Sequence, residues 1–264
     1  MIGFIRAEDL DRCRGAKAVG YGAAKVPTGV ESKLFDWKNT ASWEPLFGAL
    51  AGQRASRVRL AHALATIFEG VVAYHGCRPE KIESYYRDGL RPSSSDALDA
   101  RAKEIFCSDA LAGVTPDAIG AITAKLGKRD QGRIYACLDD RHMSAYAANY
   151  MIYGSERLQC VAAALSTSSR DCIALLKRYG KPTIFRVALP WEIITESDFE
   201  ALARQVSSHV SIVRKSRSVP ESWFSFEFAI ALPGKFVLSH EHPQILIDAH
   251  DGMKPYSYGA VADA

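Results

Sequence analysis

A chain of 264 residues, 48% hydrophobic and 24% charged, has the composition of an ordinary globular protein. At about 150 residues per domain it spans one to two domains, with room for a large core. Its 33 Lys and Arg against 30 Asp and Glu leave a net charge of +3, which excludes a polybasic tail and gives no global case for nucleic-acid or membrane binding.

Collagen-like, disordered and coiled-coil classes fail on the same composition. The six cysteines (Cys13, Cys77, Cys107, Cys137, Cys160 and Cys172) are scattered without a CxxC pair. They read as reduced thiols of a cytosolic protein, not as a disulfide frame or a zinc site, so a cytoplasmic location without a metal is expected. The N-terminus lacks a signal-peptide core. The longest nearly uncharged apolar stretch, residues 61–74, is interrupted by His62 and Glu69 and is too short to cross a bilayer.

In chain order, Gly15, Gly20, Gly22 and Gly29 punctuate a start with few periodic runs, and Trp37 and Trp43 sit in polar surroundings. Residues 1–70 therefore read as an irregular N-terminal extension that packs through its aromatics. Leu60, Leu64, Ile67 and Phe68 recur at helical spacing and give it a leading helix. Three uses stand open for the extension: covering a site, binding a neutralising partner, or completing the core. Residues 71–264 form the main domain.

Residues 71–74 are a short β-prone run. Pro79 at a first helical position and Gly89 at a helix end predict a helix between them. Ser95 or Asp96 caps another short helix, and Thr115-Pro116-Asp117 starts one that Gly127 stops. Residues 133–138 are a strand, followed by helical sequence around 143–150. Ser155-Glu156 and Ser169-Arg170-Asp171 each begin a helix, the second ending at Gly180. The last third reads as strands at 183–189, 209–213, 223–232, 235–238 and 244–247. Strands do not alternate regularly with helices, so the class is α+β and not doubly wound.

Three segments carry chemistry. Tyr74-His75-Gly76-Cys77-Arg78 ends the first strand, with Gly89-Leu90-Arg91-Pro92 after its helix. Gly132-Arg133-Ile134-Tyr135 opens the second, with Tyr146 beyond it. Ser225-Phe226-Glu227-Phe228 places one carboxylate among apolar neighbours on a late strand. There is no GxGxxG and no GxxxxGK[ST], which speaks against Rossmann or P-loop nucleotide binding.

In this order the segments resemble the His-Tyr-Glu class of ADP-ribosyltransferases, which contains diphtheria toxin and the poly(ADP-ribose) polymerases. The resemblance runs from about Val71 to Ile247. It implies an ADP-ribosyltransferase-like fold of two small, mainly antiparallel sheets packed together with flanking helices, and NAD as co-substrate. It also implies transfer of one ADP-ribose to a macromolecular acceptor, protein or nucleic acid, as in stand-alone bacterial toxins or defence effectors.

By the resemblance Glu227, His75 and Tyr146 are catalytic. Glu227 bonds the nicotinamide-ribose 2′-OH and polarises the acceptor, the backbone at Gly76 holds the carboxamide, and the His75 side chain bonds the adenosine ribose. Tyr135 and Tyr146 sandwich the nicotinamide ring, with Tyr150 as the alternative to Tyr146. The chemistry is consistent, because cleaving the nicotinamide–ribose bond builds positive charge on the ribose that a fixed carboxylate stabilises.

In the family the loop before the Glu contacts the target, which makes Arg214, Lys215 and Arg217 the target-binding candidates, suited to an acidic surface or a phosphate. Ser166-Thr167-Ser168 mimics the other ADP-ribosyltransferase class but reads as a helix-to-cap junction. Ser225 stands where that class keeps an acidic residue or Gln two positions before the Glu, so arginine- and asparagine-directed toxins of that class are poor templates. His240-Glu241-His242 with Asp248, His250 and Asp251 reads as a solvated loop. An NAD glycohydrolase with the same residues and a non-catalytic binding module on the same fold are the competing functions.

Overall fold

The computed structural model describes residues 33–50, 56–107, 113–127 and 132–258. Among them the chain is α+β. Its strands are β1 (Leu34–Phe35), β2 (Gly70–Cys77), β3 (Ile134–Cys137), β4 (Thr183–Pro190), β5 (Ser225–Phe228), β6 (Val237–Glu241), β7 (Ile245–Asp248) and β8 (Lys254–Ser257). Its helices are α1 (Thr40–Ala49), α2 (Arg57–Ile67), α3 (Glu83–Asp88), α4 (Ser95–Phe106), α5 (Pro116–Leu126), α6 (Ala148–Ile152), α7 (Glu156–Leu165), α8 (Cys172–Leu176) and α9 (Glu196–Ser216).

The strands form two sheets of unequal size, and the smaller packs into the second core of the larger. One mainly antiparallel six-stranded sheet runs β5-β3-β2-β4-β6, with β1 added parallel beside the start of β2, and β7-β8 form a separate hairpin. The six-stranded sheet is covered on both faces, which explains why β2 and β4 are continuous apolar runs and not alternating ones. Val71, Ala73, Phe185, Val187 and Leu189 face one core, and Val72, Tyr74, Ile184 and Ala188 the other. The first core is closed by residues of α1, α2 and α9, the second by residues of α4 to α8.

Residues 34–50 and 56–67 of the predicted extension supply a strand and two helices, and from Phe35 onward their buried residues share the first core with the sheet; residues 1–32 and 51–55 lie outside the described part. Trp37 and Trp43 are fully buried with ring centroids 5.0 Å apart. Each indole N–H finds a carbonyl: Trp37 Nε1 donates to Pro220 at 2.9 Å and Trp43 Nε1 to Trp37 at 3.0 Å. Burying two indoles with their polar ends satisfied is what makes this segment part of the core and not an attachment.

The predicted strand at 209–213 is instead the end of the 21-residue α9. Phe199, Leu202, Ala203, Val206, Val210 and Val213 are buried at helical spacing, and this period outweighs the β-branched residues near its end. The helix expected from Pro79 starts only at Glu83, because the Pro79 carbonyl instead accepts from Lys181 N–H at 2.9 Å and pins the turn to the start of β4. Gly89 ends α3 as expected. Its φ of 80° and the 1.9 Å that a Cβ would leave to the Leu232 carbonyl oxygen admit only glycine. The short helix expected at 95 is the 12-residue α4, capped by Ser94 and not Ser95. Around 143–150 the chain makes turns before the short α6, and the long strand expected at 223–232 is confined to the four residues of β5.

No helix among the described residues is long and apolar enough to cross a membrane.

Candidate active site

The site arises where β2 keeps one neighbouring strand and loses the other. Against β4 it is paired along its whole length, from Gly70 opposite Pro190 to Cys77 opposite Thr183. Against β3 it pairs at one position, Tyr74 opposite Cys137. Beyond that pair the end of β2 stays with β4 and the start of β3 stays with β5, and a cavity of about 990 Å³ lies between the parted strands. His75, Gly76, Cys77, Arg78, Arg133, Tyr135, Tyr150 and Ser225 are among its lining residues. The volume is at the upper end for small-molecule sites.

His75 spans the gap that the ladder leaves open, with Nδ1 2.8 Å from the Tyr135 carbonyl oxygen. A carbonyl has no proton to give, so Nδ1 is the donor. Burial lowers the imidazole pKa below its ordinary value, and the bond to the Tyr135 carbonyl opposes that shift only in part. The ring is therefore neutral near pH 7, and Nε2 presents a lone pair that accepts from a ligand hydroxyl.

Gly76 lines the cavity beside it. A Cβ there would lie 2.5 Å from the Met143 methyl, so glycine lets the end of β2 pass beneath Met143 as well as leaving backbone open to a ligand.

Tyr135 stands directly opposite Glu227 across β3 and β5. Directly opposed residues share a sheet face, so both emerge together while Ala136 and Phe226 turn into the core. Glu227 is 46% exposed, and its Oε1 accepts from Arg133 Nη1 at 2.9 Å. Arg133 and Tyr135 line the cavity, as does Ser225 two residues before Glu227, but Glu227 itself is not among the lining residues.

The approach to β5 is clamped by Asp139, whose side chain is completely buried. Burial raises its pKa, but hydrogen bonds from the Arg141 side chain and backbone and from Ser222 N–H outweigh it and hold the carboxyl below its ordinary range. The Arg141 Nε donates to it at 2.9 Å and the Ser222 amide at 3.0 Å, fixing the turn that feeds Glu227's strand.

The tyrosine alternatives separate in the structure. Tyr150 lines the cavity with Tyr135. Tyr146 is 69% exposed and lies outside the lining, edge-on to Trp223 at 4.6 Å, while Trp223 stacks on the buried His142 at 3.8 Å. Arg214 and Lys215 lie in the last turn of α9, and none of Arg214, Lys215 and Arg217 lines the cavity. Arg217, in the left-handed region at φ 55°, forms an ion pair with Glu44 of α1.

Sequence reasoning missed Arg133, Asp139 and Arg78. Arg133 had a signal, since it lies two positions before Tyr135 and so on the same strand face. Arg78 had none: it donates to the carbonyls of Tyr179 at 2.6 Å, Met151 at 2.9 Å and Lys177. These partners are neutral, so the guanidinium keeps its positive charge in the cavity wall and favours an anionic part of a ligand there. Cys77 is no nucleophile, because burial pushes its thiol up to about 12.

The remaining motifs have structural uses. Ser166 is the C-cap of α7, and its Oγ accepts from Cys172 N–H at 3.1 Å. His240 Nδ1 lies 2.7 Å from the Tyr86 hydroxyl, and Asp248 accepts from Tyr153 at 2.5 Å and pairs with Lys177 at 2.9 Å. Among the described residues no group of three or more His, Cys, Asp or Glu is arranged to hold a metal ion.

Comparison of the chain with protein-family models, with curated proteins and with solved structures gave no match in any of the three.

Proposed function

We propose that the chain is an NAD-dependent mono-ADP-ribosyltransferase that cleaves the nicotinamide–ribose bond and transfers ADP-ribose to a macromolecular acceptor, in the manner of a toxin or defence effector. The observation that supports this reading is the order in which β2, β3 and β5 meet beside one cavity. β2 and β3 set a neutral His75 and Tyr135 in the cavity wall, and β5 holds Glu227 directly opposite Tyr135, next to the lining residue Arg133.

The chain's residues suit the parts of such a substrate. Nε2 of His75 accepts from a ribose hydroxyl, and the backbone of residues 75–77, where pairing with β3 has stopped, offers hydrogen bonds to a carboxamide. Tyr135 and Tyr150 offer ring faces to the nicotinamide, and Arg78 attracts the diphosphate. Glu227 provides fixed negative charge where the ribose becomes cationic and an oxygen to orient the attacking group. In this reading Tyr150 takes the stacking role assigned by resemblance to Tyr146, because it is the one of the two that lines the cavity.

The test is release of nicotinamide from NAD and transfer of labelled ADP-ribose to a cell lysate. Glu227→Gln is expected to slow release by about 10²–10³-fold, the cost of removing one fixed electrostatic group. His75→Ala is expected to raise the KM for NAD. Undiminished release in both variants, or none by the unaltered chain, overturns the reading. Glu227 is 46% exposed, so water reaches it. Free ADP-ribose forming at full rate without an acceptor would identify water as the acceptor and the protein as an NAD glycohydrolase.

A further inference from the structure

Arg78 and Arg133 occupy matching places on the two strands that part. Tyr74 of β2 stands opposite Cys137 of β3, and the strands are antiparallel. Four residues beyond that pair come Arg78 on one strand and Arg133 on the other, positions that a continued ladder would set face to face. The ladder has stopped, and both residues line the cavity that lies between the strands.

Their charges are used differently. Arg78 donates to the carbonyls of Tyr179, Met151 and Lys177, which leave its charge uncancelled. Arg133 Nη1 donates to Glu227 Oε1 at 2.9 Å, in a pair whose side chains are 54% and 46% exposed. Arg133 lines the cavity and Glu227 does not, so a ligand there meets the guanidinium and not the carboxylate.

We infer that Arg133 exchanges Glu227 for the diphosphate of the ligand, holding it from the β3 side while Arg78 holds it from the β2 side. The inference rests on the ADP-ribosyltransferase reading and adds to it a second anion-binding residue and a control on Glu227. A half-exposed pair contributes little, whereas a doubly charged diphosphate takes a guanidinium through short, bidentate bonds. Gly132, at φ 80°, donates its N–H to the Ser93 carbonyl at 2.9 Å and holds the backbone ahead of Arg133. The exchange therefore needs a turn of one side chain and no shift of β3.

The state of Glu227 follows from it. While the guanidinium lies against the carboxylate the two charges cancel, and Glu227 has little to offer a ribose that becomes cationic. Once the diphosphate takes Arg133, Glu227 regains its charge, and it does so only with ligand in the cavity. Glu227 and the diphosphate thus compete for one cation. The competition is reciprocal: removing either strengthens the hold of the other on Arg133.

The test is calorimetric titration of the full chain with ADP, which carries the diphosphate but neither nicotinamide nor the ribose assigned to Glu227. Glu227→Gln is expected to bind ADP about two- to fivefold more tightly, the range of an exposed ion pair. Arg133→Gln is expected to bind it about tenfold more weakly, the loss of a hydrogen bond to a charged group. Glu227→Gln added to Arg133→Gln is expected to change nothing further, because the cation in dispute is gone.

Equal tightening by Glu227→Gln in both backgrounds would show plain repulsion between carboxylate and diphosphate and overturns the inference. So does an ADP affinity that either single substitution leaves unchanged, or no ADP binding by the unaltered chain. Nicotinamide release from NAD by the unaltered chain separates the failures. Where release persists, the transferase reading stands without the exchange; where it is absent, both fall.

Discussion

The two sides of β2 behave differently although they belong to one strand. On the β4 side the ladder is unbroken through eight residues, and Phe185, opposite His75, is fully buried and stacked on Tyr85 at 4.4 Å. On the β3 side a single pair joins the strands, and the chemistry-bearing residues gather where the ladder stops. An uninterrupted ladder satisfies the backbone with backbone and leaves no space. A broken one frees backbone amides and carbonyls for side chains and ligands, as the bond from His75 to the Tyr135 carbonyl illustrates. One side supplies stability, the other the candidate site.

That contrast can be broken by experiment. Phe185→Ala removes a fully buried ring from the closed side and is expected to cost about 3–5 kcal/mol of unfolding free energy. A loss below about 1 kcal/mol in denaturant titration would show that the ladder side does not carry the stability assigned to it. Glu227→Gln, on the open side, is expected to change unfolding free energy by less than about 1 kcal/mol while it slows nicotinamide release, because its ion pair with Arg133 is half exposed.

A smaller effect follows from His75. Its folded pKa is lowered by burial, so near the ordinary histidine pKa of about 6.5 the unfolded chain binds more protons than the folded one. Stability is expected to fall as the pH drops below about 7, and this loss ends once the pH is below the folded pKa. His75→Gln should flatten that part of the profile. Superimposable slopes for the two proteins between pH 7 and pH 5 would show that His75 is not the group responsible.

The smallest effect is expected at Arg217. Its pair with Glu44 is exposed on both sides, so Arg217→Ala is expected to shift stability by less than about 1 kcal/mol. NAD turnover should be unchanged, since Arg217 is not part of the cavity wall. A drop in nicotinamide release would return this cluster to the site.

Much of the local structure was legible from residue order. Gly89 and Gly127 end helices, and Thr115, Ser155 and Asp171 cap them, because these residues act on neighbouring backbone. The strands at 71–74 and 133–138 were visible from their β-prone runs. The error at 209–213 came from reading a few β-branched residues locally, when the period of buried residues along all of α9 decides.

The candidate site was legible only in part. His75, Gly76, Tyr135 and Glu227 stood out through the order of their segments, on which the resemblance rests, and of these the first three line the cavity. The choice of Tyr150 over Tyr146 as the tyrosine in the cavity wall was not legible, since both belong to one irregular turn-and-helix segment and only its packing decides which ring turns inward.

The sequence by itself determined the α+β class, the alternation that puts Arg133 with Tyr135 on one strand and Ser225 with Glu227 on another, and the His-Gly end of β2. These depend on periods of two or four residues and on single backbone preferences. The tertiary structure alone decided that β2 and β3 part after Tyr74, that Glu227 receives Arg133, and that Arg217 turns to Glu44. Those pairings join residues far apart in the chain. Their register is set by which buried faces fit together, and no local period records that fit.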